Sequence, residues 1–105
     1  METLHYRHRT AHRLKGERHQ ALIGVVASGN LEALFERVLS DRECEVDITT
    51  SIGGYGEVWA AVIADFIERY SPGGVRISIH DAGARPDTVA LRLAQGARTM
   101  ERAGA

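Results

Sequence analysis

Cysteine occurs once in the 105 residues, at Cys44, so no internal disulfide can form and a reducing compartment, the cytoplasm, is the expectation. No uninterrupted apolar run approaches the roughly 20 residues that a membrane helix needs, so no membrane association is expected. The opening Met1-Glu2-Thr3 and the basic and His residues after it lack the charged, apolar and small segments of a secretory signal. No GxGxxG follows a candidate strand and no GxxxxGK[ST] occurs, which removes the common nucleotide-binding fingerprints. Internal repeats and low-complexity stretches are missing too. Neither sign of charge dominates: 13 basic and 14 acidic residues leave a net −1.

What is present suits one folded unit. With 44% hydrophobic and 26% charged residues, the chain can fill one two-layer core but not two. A large multi-site enzyme is excluded, and a carrier, binding module or complex subunit is not. The charge is also unevenly placed. Residues 1–20 carry Arg7, Arg9, Arg13, Lys15 and Arg18 against Glu2 and Glu17, and hold four of the five histidines. The rest of the chain is net acidic. We read residues 1–20 as a basic, His-rich arm or edge strand and 21–105 as a single domain. A nucleic-acid module would stripe its basic residues over the folded surface, so no nucleic-acid partner is expected.

Periodicity sets the elements. Residues 21–27 form a short apolar run suited to a buried strand. Gly29-Asn30 after it signals a two-residue hairpin tip with a II′ turn, Gly supplying the positive φ. Residues 31–38 fit a strand through Leu31, Ala33 and Phe35 and a helix through Leu31, Leu34, Phe35 and Val38, and both readings stay open. Residues 44–50 alternate as a half-buried strand. Trp59, Val62, Ile63, Phe66, Ile67 and Tyr70 keep helical spacing over 57–70, and Ser71-Pro72-Gly73-Gly74 stops that helix. Val75, Ile77 and Ile79 alternate in another strand, and Pro86 opens a final helix. The expected fold is α+β: a two-layer sandwich with a mainly antiparallel sheet and two helices on one face.

Few residues offer chemistry of their own. His5, His8 and His12 lack an ordered element to gather them, so no metal site is expected. Cys44, His80 and Asp81 contain a nucleophile, a base and an orienter, but nothing near Cys44 would lower its pKa, and a buried structural thiol is the better reading. Gly53, Gly54 and Gly56 precede a helix without a phosphate-binding Lys or Ser/Thr, which makes a plain helix entry. Ser28, beside Gly29 at the expected hairpin tip, is open enough for another protein's active site to reach. On physical grounds alone, a turn serine chosen for local hydrogen bonding is the better reading.

Resemblance changes that weighing. Gly24-Val25-Val26-Ala27-Ser28-Gly29-Asn30-Leu31-Glu32 resembles the modification segment of the acyl carrier (delta) chains of malonate decarboxylase. Three further stretches resemble that family in the same order. They are Asp47-Ile48-Thr49-Thr50-Ser51-Ile52, Ile77-Ser78-Ile79-His80-Asp81-Ala82-Gly83-Ala84-Arg85-Pro86, and Val89-Ala90-Leu91-Arg92-Leu93-Ala94-Gln95-Gly96. The opening Met1-Glu2-Thr3-Leu4 is similar as well. The likeness covers nearly all of the chain from residue 21, and residues 5–19 and 34–42 depart from the pattern.

The resemblance implies a non-catalytic carrier. Ser28 would bear a covalent 2′-(5″-phosphoribosyl)-3′-dephospho-CoA group through a phosphodiester, with Gly29 and Asn30 as the supporting turn. The thiol of that group would carry acetyl, exchanged for malonyl by a malonyl transferase. Transferase and decarboxylase subunits of the complex would be its partners, and a prosthetic-group transferase (a holo-carrier synthase) would load it. Malonyl thioester loses its carboxylate more readily than free malonate because the thioester stabilises the carbanion left behind. The arm also raises the effective concentration of acyl group at each subunit. Two alternatives accompany this reading: a citrate lyase-type acyl carrier (gamma) chain, which shares the Ser-Gly signature, and an unmodified protein- or RNA-interaction module using the basic arm. His80-Asp81 and the Leu-Arg-Leu-x-Gln-Gly run favour the malonate branch.

Overall fold

Period-two alternation builds five strands: β1 (Glu2–Arg9), β2 (Gln20–Gly24), β3 (Leu31–Arg37), β4 (Glu43–Thr50) and β5 (Val75–Asp81). Two helices, α1 (Gly56–Tyr70) between β4 and β5 and α2 (Pro86–Glu101) after β5, complete the chain in a computed structural model that describes residues 1–102. The strands form one sheet in the order β1-β4-β5-β3-β2. Three neighbouring pairs are antiparallel, and β4–β5 is parallel because α1 carries the chain back to the start of the next strand. Helix α1 packs against β1, α2 against β2 and β3, and the helices against each other, so both cover one face. The α+β two-layer sandwich expected from the sequence is the fold found.

Every strand sends alternate residues into the layer between sheet and helices. Cys44, Val46 and Ile48 of β4, Val75, Ile77 and Ile79 of β5, and Leu31, Ala33 and Phe35 of β3 are buried there. They meet Trp59, Ile63, Phe66 and Ile67 of α1 and Val89, Leu93, Ala97 and Met100 of α2. Segment 31–37 is therefore a strand. Good helix formers occupy it, but its place between β2 and β5 buries three side chains that an isolated helix would leave wet.

The hairpin is longer than expected. Strand β2 ends at Gly24, whose φ of +83° breaks the extended backbone, so Val25 and Val26 lie exposed rather than in a buried strand. A Cβ on Gly24 would sit 2.1 Å from the Leu31 carbonyl oxygen, which accepts a bond from the Val25 N–H. Six residues, 25–30, join β2 to β3 in place of a two-residue tip. The turn covers 27–30, closed by the Asn30 N–H donating to the Ala27 carbonyl at 2.8 Å. Ser28 and Gly29 are its central residues, and Gly29, at φ +75°, is the second of them, the mark of a type II turn rather than II′.

Residues 1–20 belong to the same body. Strand β1 pairs with β4 along its whole length, setting His5 opposite Asp47, Arg7 opposite Glu45 and Arg9 opposite Glu43. His5 bonds the Asp47 carboxylate, and Glu45 receives Arg7 at 3.6 Å and Arg76 at 3.5 Å. The basic leader thus faces an acidic row one strand away. Residues 10–19 then cross one end of the sheet to β2, burying Leu14 and bonding its N–H to the Gly73 carbonyl.

Arg37 clamps this crossing. Its guanidinium donates to the carbonyls of Leu14, Lys15, Arg18 and Met100 at 2.6–3.1 Å. Burial, then the nearby Arg13, lower its pKa from the usual arginine value, yet the group stays charged at any working pH. Substituting Arg37→Met should cost about 2 kcal/mol, since charged hydrogen bonds contribute roughly 1.5–3 kcal/mol each and water replaces part of what is lost. A lower urea midpoint with an unchanged slope would show it.

Candidate functional site

The site is built from the turn upward. Ser28 is exposed and placed at its outermost corner by the left-handed backbone of Gly29. A Cβ added at Gly29 would meet nothing within 4 Å, so the space beside the serine is open enough for a bulky phosphodiester. The turn itself is held firmly. The Gly29 N–H donates to the Ala82 carbonyl at 2.8 Å, and the Ala82 N–H donates to the Asn30 carbonyl at 2.9 Å. The Asn30 side-chain oxygen accepts from the Leu31 N–H at 2.8 Å and from Arg92 Nε on α2 at 3.3 Å. Asn30 therefore ties the turn to the helix layer as well as closing it.

Ala82 is fixed in turn by Asp81. That buried carboxylate accepts from Thr50 Oγ1 at 2.8 Å and from the N–H groups of Gly83 and Ala84 at 3.1 and 2.9 Å. Three donors fold the β5–α2 connection around one side chain, and the connection then supports the serine turn. His80, its sequence neighbour, points the other way, exposed on the helix-free face opposite Glu32. The Ile-His-Asp-x-Gly-Ala segment therefore works as a brace.

Cys44 and His80 do not meet. Cys44 pairs with Val75 at one end of the parallel ladder, and His80 with Thr49 near the other. The thiol is fully buried, and desolvation, with Glu45 adding to it, pushes its pKa up to about 12. Alkylation of the native protein at pH 8 should proceed only as fast as global unfolding, a rate that iodoacetamide trapping followed by mass spectrometry would measure. The raised pKa also has a sign for stability. Unfolded thiols ionise above about pH 8.5 while the native one stays protonated, so stability falls as pH rises from there towards 12. Cys44→Ala should remove that part of the slope in urea titrations. Among the described residues, no three His, Cys, Asp or Glu side chains gather in a way that could hold a metal ion.

The structure also places beside the site a feature that sequence reasoning missed. A cavity of about 280 Å³ opens where α1 and α2 begin, lined by Ile52, Tyr55, Trp59, Arg85 and Val89 among others, with Thr50 and Asp81 as polar members. Gly83, Ala84 and Arg85, directly after the residue that bonds the serine turn, form one wall. The only hint in the sequence was an aromatic residue, Tyr55, stranded in a glycine-rich loop.

Comparison with known proteins follows the same outline. Residues 18–100 match the family model described as malonate decarboxylase delta subunit (MdcD), an acyl carrier family. A protein named malonate decarboxylase acyl carrier protein from Bradyrhizobium diazoefficiens is 60% identical over 104 residues, 99% of each chain. Its namesake from Xanthomonas campestris pv. campestris is 48% identical over 105 residues, the full length of both. A chain in the crystal structure of a Pseudomonas malonate decarboxylase hetero-tetramer in complex with malonate superposes with a TM-score of 0.83 at 33% identity, covering 95% of this chain and 99% of that one. A family match over most of the length and full-length likeness at 60% and 48% identity lead to one conclusion: the chain belongs to the malonate decarboxylase delta subunit family of acyl carrier proteins.

Proposed function

We propose that this chain is the acyl carrier subunit of a cytoplasmic malonate decarboxylase complex and that Ser28 is its loading site. The observation that carries the reading is the Ser28 turn: an exposed hydroxyl with empty space beside it, on a backbone bonded at Gly29 and Asn30 to a rigid connection. A modifying enzyme needs such a hydroxyl, and it brings its own base. The residues present also fit a 2′-(5″-phosphoribosyl)-3′-dephospho-CoA group. Gly29 leaves room for the phosphodiester, and Arg92, already at the turn through Asn30, puts a cation near its negative charge. When bound, that group supplies the thiol on which acyl groups ride as thioesters.

What the protein itself supplies is placement. The β2–β3 loop and the β5–α2 connection hold the hydroxyl at a fixed point on the surface, so transferase and decarboxylase subunits receive the acyl group from one known origin. Exposed Val25 and Val26 beside the serine offer an apolar grip to whichever subunit approaches.

Co-expression with the prosthetic-group transferase and its precursor-forming enzyme tests the reading. Intact mass should rise by the mass of the added phosphoribosyl-dephospho-CoA, and the addition should map to the tryptic peptide of residues 19–37. An unmodified peptide under those conditions would overturn it.

A further inference from the structure

Exposed large apolar side chains are usually scattered, but three of them, Ile52, Tyr55 and Val58, rim the cavity where the two helices begin. Trp59 and Val89 lie at its lining, both buried. Clefts with apolar and aromatic walls and a few polar groups are the usual form of a small-molecule site. Ser28 stands next to it: Ala82, which exchanges two backbone hydrogen bonds with Gly29 and Asn30, leads directly into the wall formed by Gly83, Ala84 and Arg85. Between turn and cavity, no side chain at 82–84 is larger than a methyl group, so these residues themselves raise no barrier.

We propose that this cavity is the berth for the adenine ring of the prosthetic group, so that the root of the arm is held against the carrier and only its thiol-bearing end moves freely. The proposal rests on the loading of Ser28 argued above. Connectivity singles out the adenine. In a phosphoribosyl-dephospho-CoA group, the adenosine is separated from the serine phosphodiester by one ribose, whereas the thiol lies at the far end and must reach other subunits. The part obliged to remain near Ser28 is therefore a flat aromatic base with phosphates. Tyr55 and Trp59 offer it aromatic surface. Thr50 and Asp81 are polar members of the lining, and the three donors on the Asp81 carboxylate leave it one acceptor position for an exocyclic amine. The exposed Arg85 side chain at the rim, 3.6 Å from the also exposed Asp87 carboxylate, can turn to give the phosphates a cation. Holding the root also serves transfer, because a shorter free arm explores less volume and raises the local concentration of acyl group at a docked subunit.

Trp59 is the chain's only tryptophan, so its emission reports on this cavity. The experiment compares the co-expressed, loaded full-length protein with Ser28→Ala, using intact mass, Trp59 fluorescence and ¹⁵N chemical shifts. With the mass gain confirmed, the loaded form should show quenched Trp59 emission and shifted amide signals at Ile52, Tyr55, Trp59 and Gly83 as well as at 25–30. Those cavity signals should be the same whether the thiol is free or acetylated. Tyr55→Ser removes the rim aromatic at an exposed helix N-cap position where serine is favourable, so it should fold and load normally yet lose the quenching. A mass gain with shifts confined to residues 25–30 overturns the berth and leaves the attachment site standing. Cavity shifts that appear only on acetylation assign the pocket to the thioester end and overturn the adenine. No mass gain overturns the attachment site and the berth together.

Discussion

Ser28→Ala is expected to abolish carrier function completely while changing folding stability by no more than about 0.5 kcal/mol, the usual range for an exposed substitution away from structural features. The turn holds together without the Ser28 hydroxyl. Its closing bond, from the Asn30 N–H to the Ala27 carbonyl, and its anchors to Ala82 are all made by backbone atoms. The Gly29 φ of +75° is a property of the glycine, and the side-chain anchor is the Asn30 amide, with Arg92 against it. None of these contacts uses the serine hydroxyl. Loading is a different matter, because alanine has no oxygen through which a phosphodiester can form. Mass spectrometry of co-expressed protein should show no addition, and malonate decarboxylation by the assembled complex should fall to background. Thermal melts should overlay the unsubstituted apo protein. A melting temperature lowered by more than a few degrees would mean that the hydroxyl is structural.

That separation of function from stability was partly legible in the sequence. Strand β4 and strand β5 declare themselves by strict alternation, and α1 by helical spacing from Trp59 to Tyr70 ending at Ser71-Pro72, because one buried face imposes one period. The β2–β3 connection was misread because the apolar run continues through Val25 and Val26. The strand stops three residues before that run ends, where Gly24 turns to a positive φ that composition does not announce. The charge split of the first 20 residues had no account until register was known: Arg7 opposes Glu45 across strands nearly 40 positions apart, and pairing partners at that separation cannot be read from either segment alone. The same holds for the cavity, whose walls come from residues 50–62 and 81–89, two stretches that only the fold brings together. Local pattern thus located most elements, while long-range pairing determined what surrounds the turn that carries Ser28.

Gly96 carries the largest expected loss of stability. It lies inside α2, where glycine is unfavourable by about 1 kcal/mol relative to alanine, so Gly96→Ala would stabilise an isolated helix. Here it should destabilise the protein by about 1–3 kcal/mol, the cost of overpacking a filled core. An added Cβ would lie 2.1 Å from Cε1 and Cζ of Phe35 and 2.7 Å from Cδ1. Phe35 is fully buried on β3, between β2 and β5, and has no solvent into which it could swing. Either the ring leaves its rotamer or α2 lifts off the sheet, and α2 also holds Arg92 against the turn. Phe35→Leu alone should also destabilise, through the space it empties. The two together should cost less than their sum, because the shorter side chain vacates the volume the methyl enters, with a coupling of about 0.5–3 kcal/mol in a double-mutant cycle read by urea denaturation. Additive losses would mean that the helix and sheet separate without regard to this contact. The glycine that ends the Leu-Arg-Leu-x-Gln-Gly run is then explained by packing: it lets α2 approach β3 closely enough to close the core and hold Arg92, one turn away on the same face, on the serine turn.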